Sequence, residues 1–465
     1  MNKALDLVLL APHEETLRGL LDFSEMRERA GYLLCGVSDI EADPWTGLAR
    51  RRFVSHMLRP LTIDEVDSAS SQHITWQTDG YMRLINEAVD GNWVPGIVHT
   101  HPSGVARFSP QDDRNEAELA RTAFLKGANG LLSIVIAGNG ELAVRWWHSP
   151  TKFHAVPRIL FSGPRLGLIT PDNGSADFLD RQGRLFGRDA SNRITQFRCG
   201  IAGGGATGSA VLPQLMRLGV RKAVVTEKDH VDLTNLNRLH GASRSDASAG
   251  LPKLTVHERL VRDADLGMEL VPIDAWAGDP ETWDAFKSCD IIFCCTDDHA
   301  GRVFLNRFAR YYGIPVIDVG LAMQRRNNGR FDLFSRVSTL VPGHACLLCG
   351  DFVDPRRAAE ESLRREKPEE FTRLKAEAYV LGEGDPSPAV VSFTTEAACM
   401  AINEWLAGVT GFSDDECMRA TRVRRFHARD ERFPRIASRD NCPTCRSPRT
   451  LGRADVQPFL DRVSG

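Results

Sequence analysis

The sequence lacks a long apolar run, since no stretch reaches the roughly 18 residues that cross a bilayer. Residues 1–20 also lack the basic start and small-residue cleavage site of a signal peptide. A net charge of -3 over 465 residues gives no electrostatic case for binding nucleic acid or an anionic membrane. We therefore expect a cytoplasmic protein of two or three domains, with no nucleic-acid partner and no membrane partner.

Cysteine is also scarce, because eleven cysteines in 465 residues are too few for a disulfide scaffold. Four of them nevertheless form two CxxC pairs in turn-rich surroundings, roughly 90 residues apart. In a reducing compartment this spacing predicts a structural tetrathiolate zinc site. Its ligands would be Cys346, Cys349, Cys442 and Cys445.

A glycine-rich turn lies near the middle of the chain, after the apolar run 197–202. An apolar-periodic helix follows the turn, and a second apolar strand ends on Glu227. This order predicts a nucleotide-binding unit in which the helix N-terminus faces phosphate and Glu227 takes ribose hydroxyls. The glycines at GxGxxG spacing are Gly203, Gly205 and Gly208. The motif alone is weak, and an NAD-dependent reductase remains an alternative at this point.

Two histidines lie two residues apart in the segment PGIVHTHPSGVARFSPQDD. On a strand, this spacing puts the imidazoles of His99 and His101 on one face. Ser109 follows after seven intervening residues, and Asp112 completes an SxxD pair. The whole pattern resembles the JAMM motif of the JAB/MPN metalloprotease family.

That resemblance implies a mixed α/β metallopeptidase domain that cleaves after the terminal glycine of ubiquitin-like proteins. His99, His101 and Asp112 would bind a catalytic zinc and leave a fourth position for water. Glu28 matches the family's general base, with Glu25 as the competing choice. Ser109 would donate a hydrogen bond to the carbonyl oxygen as charge develops on it.

The segment EKDHVDLTNLNR, after the glycine turn, resembles that of the ThiF/MoeB and ubiquitin-activating-enzyme family. The family uses ATP and magnesium to adenylate the C-terminal glycine of a ubiquitin-like protein, on a doubly wound Rossmann-like fold with two CxxC pairs. The resemblance assigns Glu227 to the ribose and Asp297 to magnesium. Further ATP-site positions are Asp229, Asn235, Arg238 and Lys253. Two departures from the family are glutamate at 227 and Ala206 in place of a glycine.

The family also uses an arginine that reaches the ATP of the other subunit in a dimer. Arg181 matches this arginine directly before a glutamine, and Arg184 is close enough to replace it. The resemblance therefore implies a homodimer, although a solvated helix face also explains both arginines.

Activating enzymes that form a thioester place their cysteine in a crossover, which corresponds here to residues 351–388 and contains no cysteine. Cys399 comes just after it, where a helix N-terminus could lower a thiol pKa. Cys417 has the poorer context. Adenylation without an enzyme thioester is the alternative, as is a buried helical role for Cys399.

Together these features predict a JAB/MPN domain at 1–158, a linker at 159–176 and a ThiF-type adenylation domain at 177–465. The combination resembles fusions of prokaryotic ubiquitin-like conjugation systems, which implies a ubiquitin-like substrate and a separate conjugating enzyme as partners. The first alternative is activation of a sulfur-carrier protein for thiocarboxylate formation. The second is a non-catalytic assembly module.

Overall fold

A computed structural model describes residues 3–21, 26–71, 73–102, 104–171, 176–376, 390–445, 447 and 450–455. The N-terminal part contains one large mixed sheet with three helices. Its strands are β1 (Ala4–Leu10), β2 (Ala30–Ile40), β3 (Arg50–Pro60), β4 (Val66–Ala69), β5 (Ile74–Trp76), β6 (Val94–His101), β7 (Leu131–Ala137), β8 (Leu142–Ser149), β9 (Lys152–Ala155), β10 (Arg158–Ser162) and β11 (Gly167–Ile169). Its helices are α1 (Ala11–Gly19), α2 (Thr78–Gly91) and α3 (Pro110–Leu125).

Nine of these strands form a sheet in the order β11-β10-β1-β3-β2-β6-β7-β8-β9, and β4 pairs with β5. The strands at its centre are almost wholly buried, as the runs of leucine, valine and isoleucine in β1 and β7 require. Helix α2 packs Tyr81, Leu84 and Ile85 against Tyr32 and Leu34 of β2. This packing fixes β2 beside β6, the strand that carries the two histidines.

The segment expected as a linker, 159–176, instead begins with two strands of this sheet. Strand β10 pairs in parallel with β1, and β11 pairs antiparallel with β10. All five residues of β10 are buried, so its three apolar residues at 159–161 outweigh the glycines and prolines that follow them. Residues 172–175 lie outside the described residues.

The C-terminal part is built on an eight-stranded sheet in the order β14-β13-β12-β15-β16-β17-β18-β19. Its strands are β12 (Arg198–Ala202), β13 (Lys222–Thr226), β14 (Glu269–Ile273), β15 (Ile291–Cys294), β16 (Val316–Arg325), β17 (Phe331–Leu340), β18 (Thr421–Arg425) and β19 (Asp430–Arg432). Its helices are α4 (Asp180–Phe186), α5 (Arg188–Gln196), α6 (Gly208–Arg217), α7 (Arg244–Ala249), α8 (Lys253–Ala264), α9 (Pro280–Lys287), α10 (His299–Tyr312), α11 (Pro355–Glu366), α12 (Pro368–Ala376) and α13 (Val391–Thr410).

The first five strands in this order, β14, β13, β12, β15 and β16, are parallel to one another. Strands β17, β18 and β19 extend the sheet with antiparallel pairs. The order reverses between β12 and β15, which makes the carboxyl ends of those strands the switch point where α/β sheets bind ligands. Helix α13 lies across the sheet and buries Trp405 against Phe197 and Phe293. The predicted doubly wound α/β fold is therefore present.

A layer of buried charge joins the two parts of the chain. Arg52 of β3 donates from Nη1 to the carbonyl oxygen of Cys289 at 2.6 Å and lies 3.3 Å from the Asp290 carboxylate. Arg158 pairs with the same carboxylate. Apolar contacts continue this interface, because Val8, Leu10 and Val54 belong to the same buried cluster as the core of the second sheet. Among the described residues no helix is both long and apolar enough to cross a membrane.

Candidate functional site

The end of β6 and the start of α3 bring His99, His101 and Asp112 together. The ligand atoms of these three residues all lie within 4.8 Å of one another. Nε2 of His99 lies 3.3 Å from Oδ1 of Asp112, and Nε2 of His101 lies 3.5 Å from Oδ2. Nε2 of His99 is buried without a hydrogen-bond partner in the described part of the chain. This set of two nitrogens and one oxygen fits a zinc ion with one open position.

Ser109 and Asp112 form a reciprocal cap at the N-terminus of α3. The Ser109 hydroxyl accepts a hydrogen bond from the Asp112 amide at 3.2 Å, and the Asp112 carboxylate accepts one from the Ser109 amide at 2.6 Å. The spacing S-x-x-D is therefore also a helix-start signal. The cap holds Asp112 in place, and the nearby imidazoles keep the pKa of Asp112 well below its usual range despite its burial.

Glu28 lies just before β2, beside the two histidines. Its amide donates to the carbonyl oxygen of Ser70 at 2.7 Å, which ties it to the β4–β5 hairpin. The pairing of Ala30 with His99 brings it next to β6. Burial raises the pKa of Glu28, with the neighbouring imidazoles acting in the opposite direction. Glu25, the competing base, lies outside the described residues.

The four cysteines of the two CxxC pairs converge on one point, and three of them are buried. Sγ of Cys346 lies 3.4 Å from Sγ of Cys442, and Sγ of Cys349 lies 3.4 Å from Sγ of Cys445. A tetrahedral zinc site with Zn–S bonds of about 2.3 Å places its sulfurs about 3.8 Å apart, close to these distances. The donor set therefore fits a structural zinc ion.

The glycine turn follows β12 and leads directly into α6. Gly203 has a φ of +93°, a conformation that L side chains rarely adopt. A Cβ at Gly208 would lie 2.0 Å from the carbonyl oxygen of Gly203, so no other residue fits there. A Cβ at Gly205 would meet only the Glu227 carboxylate, at 3.9 Å, so this position is open. The turn thus leaves its backbone and the start of α6 accessible to a phosphate group.

Three charged side chains surround the end of β13. Oε1 of Glu227 accepts hydrogen bonds from the amides of Lys228 and Asp229 at 3.0 Å. Nζ of Lys253 lies 2.9 Å from the Asp229 carboxylate and 4.0 Å from that of Glu227. Burial raises the pKa of Glu227, and the Lys253 ammonium acts against that rise. The sequence-predicted Glu227, Asp229 and Lys253 therefore form one cluster beside the glycine turn.

The two aspartates after β15 have different environments. Asp298 caps α10 by accepting from the Gly301 amide at 3.0 Å, and it accepts from Nε1 of Trp276 at 2.9 Å. Asp297 is exposed and, among the described residues, makes no hydrogen bond or ion pair. Asp297 is therefore the carboxylate left available for a cation.

Three other predicted ATP-site residues lie on the surface or in a local turn. Oδ1 of Asn235 accepts from the Asp232 amide at 3.1 Å, and Nη1 of Arg238 donates to the carbonyl oxygen of Thr234 at 2.6 Å. Arg181 is exposed on α4, and Arg184 pairs with Asp180 at 2.7 Å. Within the described residues, no hydrogen bond or ion pair joins Arg181 to the glycine turn of its own chain.

Cys399 lies in the middle of α13, eight residues after the helix begins. The expected help from a helix N-terminus is wrong, because that end is about two turns away and its effect fades within one. Burial raises the pKa of Cys399, and the neighbouring Glu396 raises it further. Burial likewise raises the pKa of Cys417.

Two contacts, one at the glycine turn and one at the start of α10, were missed from the sequence. Nε2 of His257 lies 2.7 Å from the carbonyl oxygen of Gly204, and His257 is fully buried. His257 is four residues after Lys253, a spacing on α8 that could have indicated a shared face. The Glu361 carboxylate of α11 accepts from the Ala300 amide at 2.7 Å, which no local pattern signals.

Comparison with known proteins assigns both parts of the chain. The ThiF family model matches residues 179–447, and the model for prokaryotic homologs of the JAB domain matches residues 11–149. The SAMP-activating enzyme E1 of Haloferax volcanii is 24% identical over 163 residues, which cover 35% of this chain and 56% of that protein. The sulfur carrier protein ThiS adenylyltransferase of Bacillus subtilis is 26% identical over 164 residues, which cover 35% of this chain and 46% of that protein.

The chain thus spans about half the length of these two relatives. A crystal structure of E. coli MccB with succinimide aligns with a TM-score of 0.44 and 15% identity, covering 60% of this chain and 77% of that one. The ThiF match covers more than half of the 465 residues. The chain therefore belongs to the ThiF family and carries a prokaryotic JAB domain fused before its ThiF domain.

Proposed function

We propose that this protein is a bifunctional enzyme that trims or releases a ubiquitin-like protein after its C-terminal glycine and also adenylates that glycine. The observation that carries the proposal is the presence of two separate constellations in one chain. One comprises His99, His101, Asp112 and Glu28; the other surrounds the glycine turn with Glu227, Lys253 and Asp297.

In the N-terminal domain, His99, His101 and Asp112 would hold zinc, which lowers the pKa of a bound water. The Glu28 carboxylate would take a proton from that water and pass it to the departing amine. The Ser109 hydroxyl already accepts from the Asp112 amide, so its own proton remains for the developing oxyanion. The broken bond is the amide after the terminal glycine.

A substitution at Glu28 tests the peptidase. Glu28→Gln should keep the metal and reduce cleavage of an extended ubiquitin-like protein by at least ~100-fold, the usual value of a general base. His101→Ala should lose the metal as well. Glu118→Gln, on the exposed face of α3, is the matched control and should cleave at the wild-type rate. Undiminished cleavage by Glu28→Gln would reassign the base to Glu25.

In the C-terminal domain, a carboxylate oxygen of the terminal glycine would attack the α-phosphorus of ATP, and pyrophosphate would leave. Glu227 would bind the ribose, and the backbone of the glycine turn would receive phosphate. Lys253, Arg238 and Asn235 would face the phosphates, where positive charge offsets the charge on the transferring group. Asp297 would hold magnesium through a carboxylate oxygen.

ATP–pyrophosphate exchange tests the adenylation. Exchange should require ATP, magnesium and a carrier that ends in glycine, and Lys253→Met or Asp297→Ala should abolish it. Lys228→Met removes an exposed lysine next to Glu227 and should leave exchange unchanged. Equal losses in Lys253→Met and Lys228→Met would contradict the assigned role of Lys253.

We also propose that the protein acts as a homodimer in which Arg181 reaches the ATP of its partner subunit. Its exposure on α4 supports an intermolecular role. Mixing inactive Arg181→Ala with inactive Asp297→Ala should restore part of the exchange activity once subunits exchange. A monomeric enzyme with full activity would refute this arrangement. A separate conjugating enzyme would accept the activated carrier.

Sulfur-carrier activation is the second candidate function, and the cysteines favour it. Residues 351–388 contain no cysteine, and Cys399 lies in the middle of a helix with a raised pKa. These facts support direct attack of an external sulfur donor on the carbonyl carbon of the acyl adenylate, with AMP as the leaving group. Gels of enzyme, carrier and ATP-magnesium, with and without reductant, test this. A reducible adduct that disappears in Cys399→Ala would instead support an enzyme thioester.

A further inference from the structure

The N-terminal domain contacts the ThiF-family sheet at the amino ends of its parallel strands. Arg52 binds the carbonyl oxygen of Cys289, which lies just before β15. Arg158 donates to the carbonyl oxygen of Gln196 at 3.1 Å, just before β12. Nε1 of Trp45 donates to the carbonyl oxygen of Glu269, the first residue of β14, at 3.2 Å. Three parallel strands of this sheet, β12, β14 and β15, therefore begin at the domain interface.

The apolar part of the interface also lies at the amino ends of the parallel strands. A Cβ at Gly313 would lie 2.7 Å from Leu10 and 3.0 Å from both Val8 and Val54. Gly313 follows α10 and comes just before β16. The start of the fourth parallel strand is thus also covered by the N-terminal domain.

The proposed ATP-site residues lie at the carboxyl ends of these strands, opposite the interface. Gly203 follows the last residue of β12, Glu227 follows that of β13, and Asp297 comes three residues after β15. Because a strand rises about 3.3 Å per residue, a strand of five residues separates its amino end at the interface from its carboxyl end by roughly 15 Å. These interface contacts therefore lie at the end of the strands opposite the proposed nucleotide site.

The zinc triad also lies away from the interface within its own domain. Arg52 is near the start of β3, whereas Pro60 at the end of β3 pairs with Gly31, beside Ala30 and His99. The interface reaches His56 of β3, whose Nδ1 lies 2.7 Å from the carbonyl oxygen of Leu451, so four residues of strand, roughly 13 Å, separate the interface from that end. The buried ion pairs of Asp290 hold the two domains in this orientation.

We infer that the two catalytic centres of the proposed enzyme face opposite ends of one rigid unit, so that a carrier trimmed at the zinc site must dissociate before it is adenylated. This inference rests on the proposed function. It excludes transfer of the carrier tail from one site to the other without release. A mature carrier already in solution then competes equally with one that the enzyme has just trimmed.

An isotope-dilution experiment with the wild-type full chain tests the inference. The enzyme receives one part of 15N-labelled extended carrier, ten parts of unlabelled mature carrier, and ATP-magnesium. Mass spectrometry measures the heavy share of the carrier adenylate over time. With release, this share starts near zero, rises with a lag as trimming proceeds and ends near one part in eleven. A heavy-enriched adenylate at the earliest times would overturn the inference.

Two single-step assays keep the sources of failure apart. Cleavage of extended carrier without ATP and pyrophosphate exchange with mature carrier are measured first. Absence of either step would contradict the proposed function and, with it, this inference. If both steps are present and the early adenylate is enriched in the heavy carrier, the proposed function stands and only the inferred release of the carrier is contradicted.

Discussion

Asp290 is the residue on which the domain interface depends most. Its carboxylate is fully buried, pairs with Arg52 and Arg158, and accepts a hydrogen bond from the Arg198 amide at 2.9 Å. Asp290→Asn preserves the shape but removes the carboxylate that pairs with Arg158 and leaves Arg52 paired with the Asp6 carboxylate at 3.2 Å. Removing one partner of a buried pair costs ~3–5 kcal/mol.

The expected change in melting temperature follows from the size of the unit. Unfolding entropy is about 2.1 cal/mol/K per residue, or about 1 kcal/mol/K for a chain of this length. If both domains unfold together, Asp290→Asn lowers Tm by ~3–5 °C in calorimetry at a fixed scan rate. Unfolding of the smaller domain by itself would give a larger shift and a split transition.

Asp284→Asn provides the matched control. The Asp284 carboxylate also crosses the interface, since it accepts from the Glu41 amide at 2.8 Å, but its side chain is 34% exposed. Water can replace its partners, so its loss should cost less than ~1 kcal/mol, about 1 °C. A Tm for Asp290→Asn equal to that of Asp284→Asn would refute the argument that buried charge holds the domains together.

Three further predictions follow from other contacts. Gly208→Ala should abolish ATP binding in a nucleotide titration, because its Cβ collides with the Gly203 carbonyl oxygen; Gly19→Ala, which meets nothing within 4 Å, should bind as wild type. Cys442→Ser should lower the zinc content by one ion per chain and decrease Tm, whereas Cys417→Ser should leave the zinc content unchanged. The pKa of Asp6 is lowered to about 2 because Arg50, Arg52 and Arg158 outweigh its burial, so its stabilisation is present above pH ~4 and is lost as pH falls towards 2. The stability gap between wild type and Asp6→Asn, about 2 kcal/mol from this shift, should therefore shrink over that range in denaturant titrations; a constant gap would contradict it.

The local motifs were readable because their geometry is set by a few neighbouring residues. The period of two in a strand places His99 and His101 on one face, and the α3 cap that follows brings Asp112 to them. The glycine turn likewise has one solution once Gly203 and Gly208 are in place. The doubly wound fold and the four-cysteine cluster are also confirmed, the first predicted from the order of strands and helices and the second from the CxxC spacing.

Features that depend on distant packing were not readable. The strand role of 158–162 depends on pairing with β1, more than 140 residues earlier, and turn residues nearby obscure it. The role of Asp290 appears only when Arg52 and Arg158 fold onto it. The raised pKa of Cys399 depends on its burial and on its position in the middle of α13. The apolar pattern of the sequence does not show where this helix begins, so neither could be predicted.

The most direct test of the central claim is pyrophosphate exchange measured with two forms of one carrier, extended and mature, in wild type and Glu28→Gln. Wild type should exchange with both forms, because it trims the extended carrier to the glycine that it adenylates. Glu28→Gln should exchange at the wild-type rate with the mature form and not with the extended one. Equal exchange by Glu28→Gln with both forms, or no exchange by wild type with a mature carrier ending in glycine, would contradict the account.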